Sequence, residues 1–439
     1  MTETGYNKNL IKYTMTIEIK DITEFKKTVC AVPWMHIAVE PNGDAIPCCL
    51  TSTHNYIAGN LNTQSIEEIW NSDNMKSLRK DMINGIEPKI CNKCFDREKV
   101  TGDSGRYHHN RRFSQVLNNI PYITEPNGTC NTMDLKYWDF RFSNLCNFKC
   151  RSCGPRYSST WVPDATKLNW ISGQEKVWNV ESVNNTDKFD FLKEQIENVE
   201  EIYFAGGEPL MMSEHWKILD MLLERNKTHV KLSYNTNASI LTYGGKNVLD
   251  YWRQWDHGKL EVWPSIDEIG PRAELIRSGT VWKKVEENLK AMASLDNINL
   301  RPGLTIGAWN VFRLPEIINH LNDIGVIKAD SRNRTEYNNT NFFINLLVDP
   351  HHYHVRILPD EFKKETVAKL NEFIAGYNKK YNSDIGINLT HILHELTTPF
   401  DRKSAKRFLE ITRQLDQVRN ENTYEVIPEM ECVRKAIGE

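Results

Sequence analysis

Beyond residue 135 short apolar runs alternate with amphipathic stretches. Residues 135–142, 201–205, 230–235, 260–266, 300–306 and 342–348 read as strands. Between them apolar positions recur at helical spacing near residues 187–198, 213–226, 246–255, 281–293 and 314–324. Strands and helices in alternation predict parallel βα units. Six such strands predict an α/β fold, a partial (β/α)6 TIM-like barrel open on one side, with its chemistry in the loops that follow the strands. Residues 360–381 place Phe362, Val367, Leu370, Phe373 and Tyr377 on one helical face, and residues 402–418 place Phe408, Leu409, Ile411 and Leu415 on another. Both are expected to cover the barrel.

The N-terminal third has a different rhythm. Residues 13–22 are compatible with an edge strand. Trp34, His36 and Ala38 then alternate with Met35, Ile37 and Val39 ahead of a Pro41-Asn-Gly43-Asp turn, which predicts a β-hairpin starting near Cys30 and returning to Cys48. Ser65 caps a predicted helix through Trp70, and Met75, Leu78, Met82 and Ile83 continue an apolar face. Residues 101–134 are poorly patterned and read as a linker; within them, residues 106–112 form a basic, aromatic run suited either to a phosphate or acidic peptide or to a solvated face. The expected organisation is a tail (1–29), a cysteine-rich domain (30–100), the linker (101–134), the barrel (135–358) and C-terminal helices (359–439).

The 439-residue chain carries a net charge of −3, so no basic field draws it to nucleic acid or anionic membrane. Its apolar runs are far shorter than the ~20 residues of a membrane span. The first residues are polar and lack the apolar region of a signal peptide, so a cytoplasmic protein is expected. Ten cysteines in a reducing compartment point to metal binding or catalysis rather than to disulfides.

Those cysteines are clustered. Cys146, Cys150 and Cys153 follow the first barrel strand with C-x3-C-x2-C spacing. Three thiolates on one loop suit an iron–sulfur cube with one iron left free; zinc or buried thiols are the alternatives. Cys30 and Cys48 from the hairpin, with Cys91 and Cys94 from a C-x2-C knuckle, form a candidate tetrathiolate site, which zinc and a four-iron cluster fit equally. After the second strand stands Gly206-Gly207-Glu208-Pro209, where glycines permit close backbone approach and Glu208 can receive an ammonium group. Polar residues also end strands three and four: Asn235, Asn237, Ser265 and, further on, Arg277. His351, His352 and His354 follow strand six and suit hydrogen bonding, metal ligation or an ordinary loop. Residues 154–186, with Trp161, Trp170 and Trp178, read as a lid, a substrate wall or a packed insertion.

The cysteine loop followed by Gly-Gly-Glu-Pro resembles the radical S-adenosylmethionine (SAM) superfamily. The Cys30–Cys94 region, with Gly43-x4-Cys48 and the closing C-x2-C, resembles a SPASM or twitch auxiliary-cluster domain. The resemblance implies a SAM-binding [4Fe-4S] cluster on Cys146, Cys150 and Cys153 and one auxiliary [4Fe-4S] cluster on Cys30, Cys48, Cys91 and Cys94. It implies that Gly206, Gly207, Glu208 and Pro209 hold the SAM amino group, that Asn235 and Asn237 contact ribose and carboxylate, and that Ser265 and Arg277 hold the carboxylate. The implied reaction is reductive cleavage of SAM to a 5′-deoxyadenosyl radical that abstracts hydrogen, with electrons from a reductant protein such as flavodoxin or ferredoxin. A peptide or protein is the expected substrate; a small molecule such as an amino sugar or nucleotide derivative is the enzymatic alternative, and a zinc-stabilised binding protein the non-enzymatic one. The chain departs from the family pattern in three ways: its cysteine-rich domain precedes the core, it has ligands for a single auxiliary cluster, and Ser152 stands where an aromatic residue is common.

Overall fold

The structure is a computed structural model that describes residues 25, 27–51, 56–171, 188–328, 341–381 and 383–438. The expected strand at residues 13–22 lies outside the described residues, as does Trp178. The chain forms two compact units, residues 1–140 with 181–199 and residues 141–180 with 200–439.

In the first unit the hairpin forms, but Trp34 is not in it. Pro33 fixes its own φ and has no N–H to give a ladder, so Val32–Trp34 closes as a 3-10 turn. The indole of Trp34 donates to the Thr124 hydroxyl at 2.7 Å. Strand β1 (His36–Val39) pairs antiparallel with β2 (Asp44–Ile46), and β3 (Gly59–Asn60) pairs with β2. Beyond β1, strand β4 (Tyr137–Phe140) adds in parallel. With neighbours on both edges, β1 buries all four residues instead of alternating. Ser65 and Glu68 form a reciprocal capping box on helix α1 (Ile66–Trp70), and helix α2 (Asp73–Ile83) buries Met75, Leu78 and Met82.

The expected linker is largely helical. Helix α3 (Asn92–Thr101) stops at Gly102, at φ +71°, and is followed by α4 (Gly105–Arg112) and α5 (Ser114–Ile123). The sequence of α4 has no apolar stripe. Its start is marked only by Ser104, whose hydroxyl accepts the Tyr107 N–H, and its buried side chain is the charged Arg106.

In the second unit, strands β6 (Glu201–Phe204), β7 (Lys231–Thr236), β8 (Leu260–Pro264) and β10 (Ile298–Leu300) run parallel. Ile202, Leu232, Leu260 and Ile298 form one buried row across them. Two short strands frame later sites: β5 (Lys149–Cys150) and β9 (Arg277–Ser278). Helices α6 (Ser213–Glu224), α7 (Val248–Trp252), α8 (Gly270–Ile276) and α9 (Trp282–Ala293) separate these strands. The fifth expected strand is broken in two. Pro302 cannot donate to a ladder, so β10 ends at Leu300 and β11 (Gly303–Ile306) pairs instead with β12 (Phe343–Leu346). Helix α10 (Leu314–Asp323) links β11 to the following residues. Helix α11 (Asp360–Tyr381) buries Leu370 and Tyr377 as expected, but Phe362, Val367 and Phe373 only partly. Helix α12 (Gly386–Glu395) follows, and α13 (Arg402–Arg419) buries Phe408, Leu409, Ile411 and Leu415. Among the described residues no helix is long and apolar enough to cross a membrane.

Candidate metal centres

The cysteine loop is gripped from two sides by glycine turns. On one side the Gly207 N–H donates to the Ser143 carbonyl at 3.2 Å and the Glu208 N–H to the Leu145 carbonyl at 2.7 Å. Gly206 sits at φ +113°, and a Cβ on Gly207 would lie 2.2 Å from the Leu145 oxygen. On the other side β9 pairs antiparallel with β5, opposing Arg277 to Cys150 and Ser278 to Lys149. There a Cβ on Gly279, at φ +103°, would stand 2.6 Å from the Asn147 oxygen. The two motifs that follow strands two and four are thus hydrogen-bonded directly to the loop that carries Cys146, Cys150 and Cys153.

Further groups hold the loop from below. The Trp161 indole donates to the Cys150 carbonyl at 2.8 Å, and Ser158 and Thr160 donate to the Phe148 carbonyl. Trp161 is buried and stacks with Trp170, so this part of the tryptophan-rich stretch is packed structure. Arg151, between the second and third cysteines, is buried and donates to Asp416 and Glu421 near the end of α13, each at 2.5 Å. Glu421 also accepts from Ser278 at 2.7 Å. Nothing local in the sequence pairs Arg151 with acids some 265 residues away.

Burial pushes the Cys146 thiol up to about 12, with the charges of Cys150, Glu208 and Cys153 adding to it, and burial and Cys150 push Cys153 to about 12. Burial also raises Cys150, against the pull of Arg277. These are thiols whose ionised form needs a cation. The Asn237 amide donates to Asn147 at 2.8 Å and stands 3.9 Å from the Cys146 sulfur.

Glu208 is buried and already engaged. Its carboxylate accepts from the Asn237 N–H at 2.7 Å, the Thr236 hydroxyl at 2.8 Å and the Leu210 N–H at 3.2 Å. Burial nevertheless lifts its carboxyl to about 7, in opposition to those bonds. Asn235 donates to the Tyr203 hydroxyl at 2.5 Å. The backbone of Ser265 bridges β7 and β11, through its N–H to the Thr236 carbonyl and a pairing with Gly303. Arg277 is anchored by Asp267 at 2.9 Å, while its Nε–H is buried without a hydrogen-bond partner among the described residues. Asp267 in turn accepts from the Thr305 N–H, and the Asn310 amide donates to its carbonyl. Sequence reasoning assigned Asp267 no part; an acid two residues from Ser265 and ten from Arg277 was the available signal.

In the first unit Cys30, Cys48, Cys91 and Cys94 line a single cavity, together with Arg106. Burial pushes Cys30 and Cys91 up to about 12, with neighbouring cysteines adding to it and Arg106 opposing it. A hydrogen bond with Cys49, then burial, hold Cys48 well above the ordinary thiol range. All ten cysteines are unbridged. Among the described residues no three His, Cys, Asp or Glu side chains close on a single metal-ion position. His351, His352 and His354 line a cleft of about 690 Å³ with Arg356, Glu395 and Arg407. His354 accepts the Arg356 N–H, and burial lowers His352 to about 4.

Comparison with known proteins bears on these sites. Residues 30–95 match the SPASM iron-sulfur cluster-binding domain, and residues 140–312 match the Radical SAM superfamily. The chain is 26% identical over 147 residues to the GTP 3′,8-cyclase of Aliarcobacter butzleri, covering 33% of this chain and 39% of that protein. It is 30% identical over 115 residues to that of Campylobacter lari, covering 26% and 31%. It therefore spans well under half the length of these relatives. Similar solved structures include histidine-tagged anSMEcpe with bound AdoMet, at 15% identity and TM-score 0.38 over 59% of this chain and 64% of that one. Another is Streptococcus suis SuiB bound to S-adenosylmethionine, at 12% and 0.34 over 70% and 62%. The match to an iron-sulfur cluster-binding domain implies an iron–sulfur cluster rather than zinc for residues 30–95. The residues present fit the cofactors the two domains imply: two all-thiol donor sets in desolvated surroundings, and an orphaned guanidinium N–H beside one of them for an anionic group.

Proposed function

We propose that the chain, whose residues 140–312 match the Radical SAM superfamily and whose residues 30–95 match a SPASM domain, cleaves SAM reductively and modifies a peptide or protein. When bound, the catalytic cluster and SAM supply a 5′-deoxyadenosyl radical for hydrogen abstraction. Cys146, Cys150 and Cys153 would hold the catalytic cluster, and Cys30, Cys48, Cys91 and Cys94 the auxiliary one. The backbone of Gly206 to Pro209, with the remaining acceptor position of Glu208, receives the SAM ammonium group. The free Nε–H of Arg277 and the Ser265 hydroxyl receive its carboxylate, with Asp267 fixing the guanidinium. Asn235 and Asn237 border the ribose. A flavodoxin- or ferredoxin-like protein supplies electrons. Residues 30–100 serve as the auxiliary domain, 135–358 as the catalytic core and 359–439 as its cover.

The observation that carries this reading is the interlock of Gly207 and Glu208 with Ser143 and Leu145, which supports a shared site for the cysteine loop and the Gly-Gly-Glu-Pro turn. Anaerobically reconstituted protein should hold about eight irons and release 5′-deoxyadenosine on reduction with SAM. Replacing Cys146, Cys150 and Cys153 by Ala should remove one cluster and all SAM cleavage. Surviving cleavage overturns the assignment, and a colourless protein holding only zinc overturns the enzyme reading.

The auxiliary domain, which offers additional surface for a large substrate, supports a peptide or protein. The matches to proteins named GTP 3′,8-cyclase favour a second reading, a nucleotide substrate. GTP consumed in step with 5′-deoxyadenosine release would select it; stimulation by peptides and not by GTP would select the first.

A further inference from the structure

The auxiliary cavity has one charged wall. Arg106 lines it beside Cys30, Cys91 and Cys94. The guanidinium is buried, with its side chain 2% exposed, and its Nε–H donates to Glu98 at 2.9 Å while another N–H donates to the Val29 carbonyl at 3.1 Å. Phe95 and Tyr107 cover its faces at 4.8 and 4.6 Å. Glu98 is itself nearly buried and also accepts from the Ser104 hydroxyl. Gly105 passes beside Cys94, where an added Cβ would lie 3.9 Å from the sulfur, and the backbone N–H of Arg106 is a hydrogen-bond donor to Cys94. Of the buried pair, Arg106 is the member that faces the cavity, and Glu98 stands behind it.

We propose that Gly105 and Arg106 set the reduction potential of the auxiliary cluster, with the Arg106 cation stabilising its reduced, more negative state and Glu98 holding that cation in place and partly offsetting it. This rests on the proposed assignment of Cys30, Cys48, Cys91 and Cys94 as its ligands. A thiolate-bound cluster gains one negative charge on reduction, and charge and hydrogen bonds near its sulfurs are what the protein has to tune it with. A fixed cation in a low-dielectric wall acts more strongly than one in water. Arg106 is a positioning residue here, placed to act on the cluster and not on substrate.

The test is an EPR-monitored redox titration of the full chain carrying Cys146→Ala, Cys150→Ala and Cys153→Ala, so that one cluster remains. Arg106→Gln should shift the midpoint to more negative potential, and Arg106→Lys should recover most of that shift. Glu98→Gln should shift it the opposite way. A purely structural role would lower cluster content in both Arg106→Gln and Glu98→Gln without moving the potential in opposite directions. Bound cluster with unchanged midpoints in Arg106→Gln and Glu98→Gln overturns the inference. Should Arg106→Gln not hold a cluster, Arg106→Lys and Glu98→Gln decide: an unmoved midpoint in Glu98→Gln overturns it. Absence of any cluster from the triple-cysteine variant instead overturns the ligand assignment on which the inference rests.

Discussion

Gly207→Ala isolates the contact on which the proposed catalytic site depends. The new Cβ would stand 2.2 Å from the Leu145 oxygen, 2.7 Å from its carbonyl carbon and 2.8 Å from the Asn144 carbonyl carbon. All three are backbone atoms, so no side chain can swing away. The two turns must separate by roughly 1 Å, which breaks the 2.7 Å and 3.2 Å hydrogen bonds between them. Each net bond is worth about 0.5–1.5 kcal/mol, and overpacking of this kind costs about 1–3 kcal/mol. The total, about 2–6 kcal/mol, lies below most of the ~5–15 kcal/mol range that holds a typical domain together, so the protein should fold with its cysteine loop out of register. Anaerobic reconstitution should then yield about four irons per chain instead of about eight, with the auxiliary cluster retained and SAM cleavage lost. Gly154→Ala is the control: that glycine follows Cys153, yet an added Cβ meets nothing within 4 Å. Gly207→Ala with a full iron complement and near-normal cleavage would refute the interlock.

Arg151→Ala strands the Asp416 and Glu421 carboxylates, which are 16% and 17% exposed, and should lower stability to urea by about 3 kcal/mol. His215, buried against the Tyr234 hydroxyl at 3.0 Å, has its pKa lowered from 6.5 to about 3 by burial. The folded state therefore binds fewer protons than the unfolded one between those limits, and the stability present above pH 6.5 is lost as pH falls towards 3. Urea unfolding at pH 7 and pH 5 should differ by roughly 2 kcal/mol more in the parent chain than in His215→Asn, and equal differences would contradict it. Trp161→Phe removes one donor from the Cys150 carbonyl, which keeps the Cys153 N–H at 3.0 Å, so the loss should be only about 1 kcal/mol with SAM cleavage retained.

Much of this molecule was legible in one dimension because its strongest signals are short-range. The strands of the second unit fall where they were expected, because buried apolar residues such as Leu232, Tyr234, Leu260 and Val262 recur at every second position. Proline explains both departures in strand placement: Pro33 diverts Trp34 into a turn, and Pro302 splits the fifth run. Helix α4 was missed because its sequence, Gly-Arg-Tyr-His-His-Asn-Arg-Arg, lacks the periodicity that marks a helix.

The sequence by itself determined which residues are the candidates for the chemistry. Cysteine spacing and the Gly-Gly-Glu-Pro turn are local patterns, dictated by covalent reach and by backbone conformations open only to glycine. The tertiary structure alone decided how those residues are held. Glu208 is engaged by Thr236 and Asn237, Arg277 faces the cysteine loop across β9 and β5, and Arg106 and Arg151 are buried charges whose value depends on what surrounds them. An ion pair that joins Arg151 to Glu421 across 270 residues leaves no period or motif in the chain, because its energy comes from desolvation and proximity that exist only once the chain has folded.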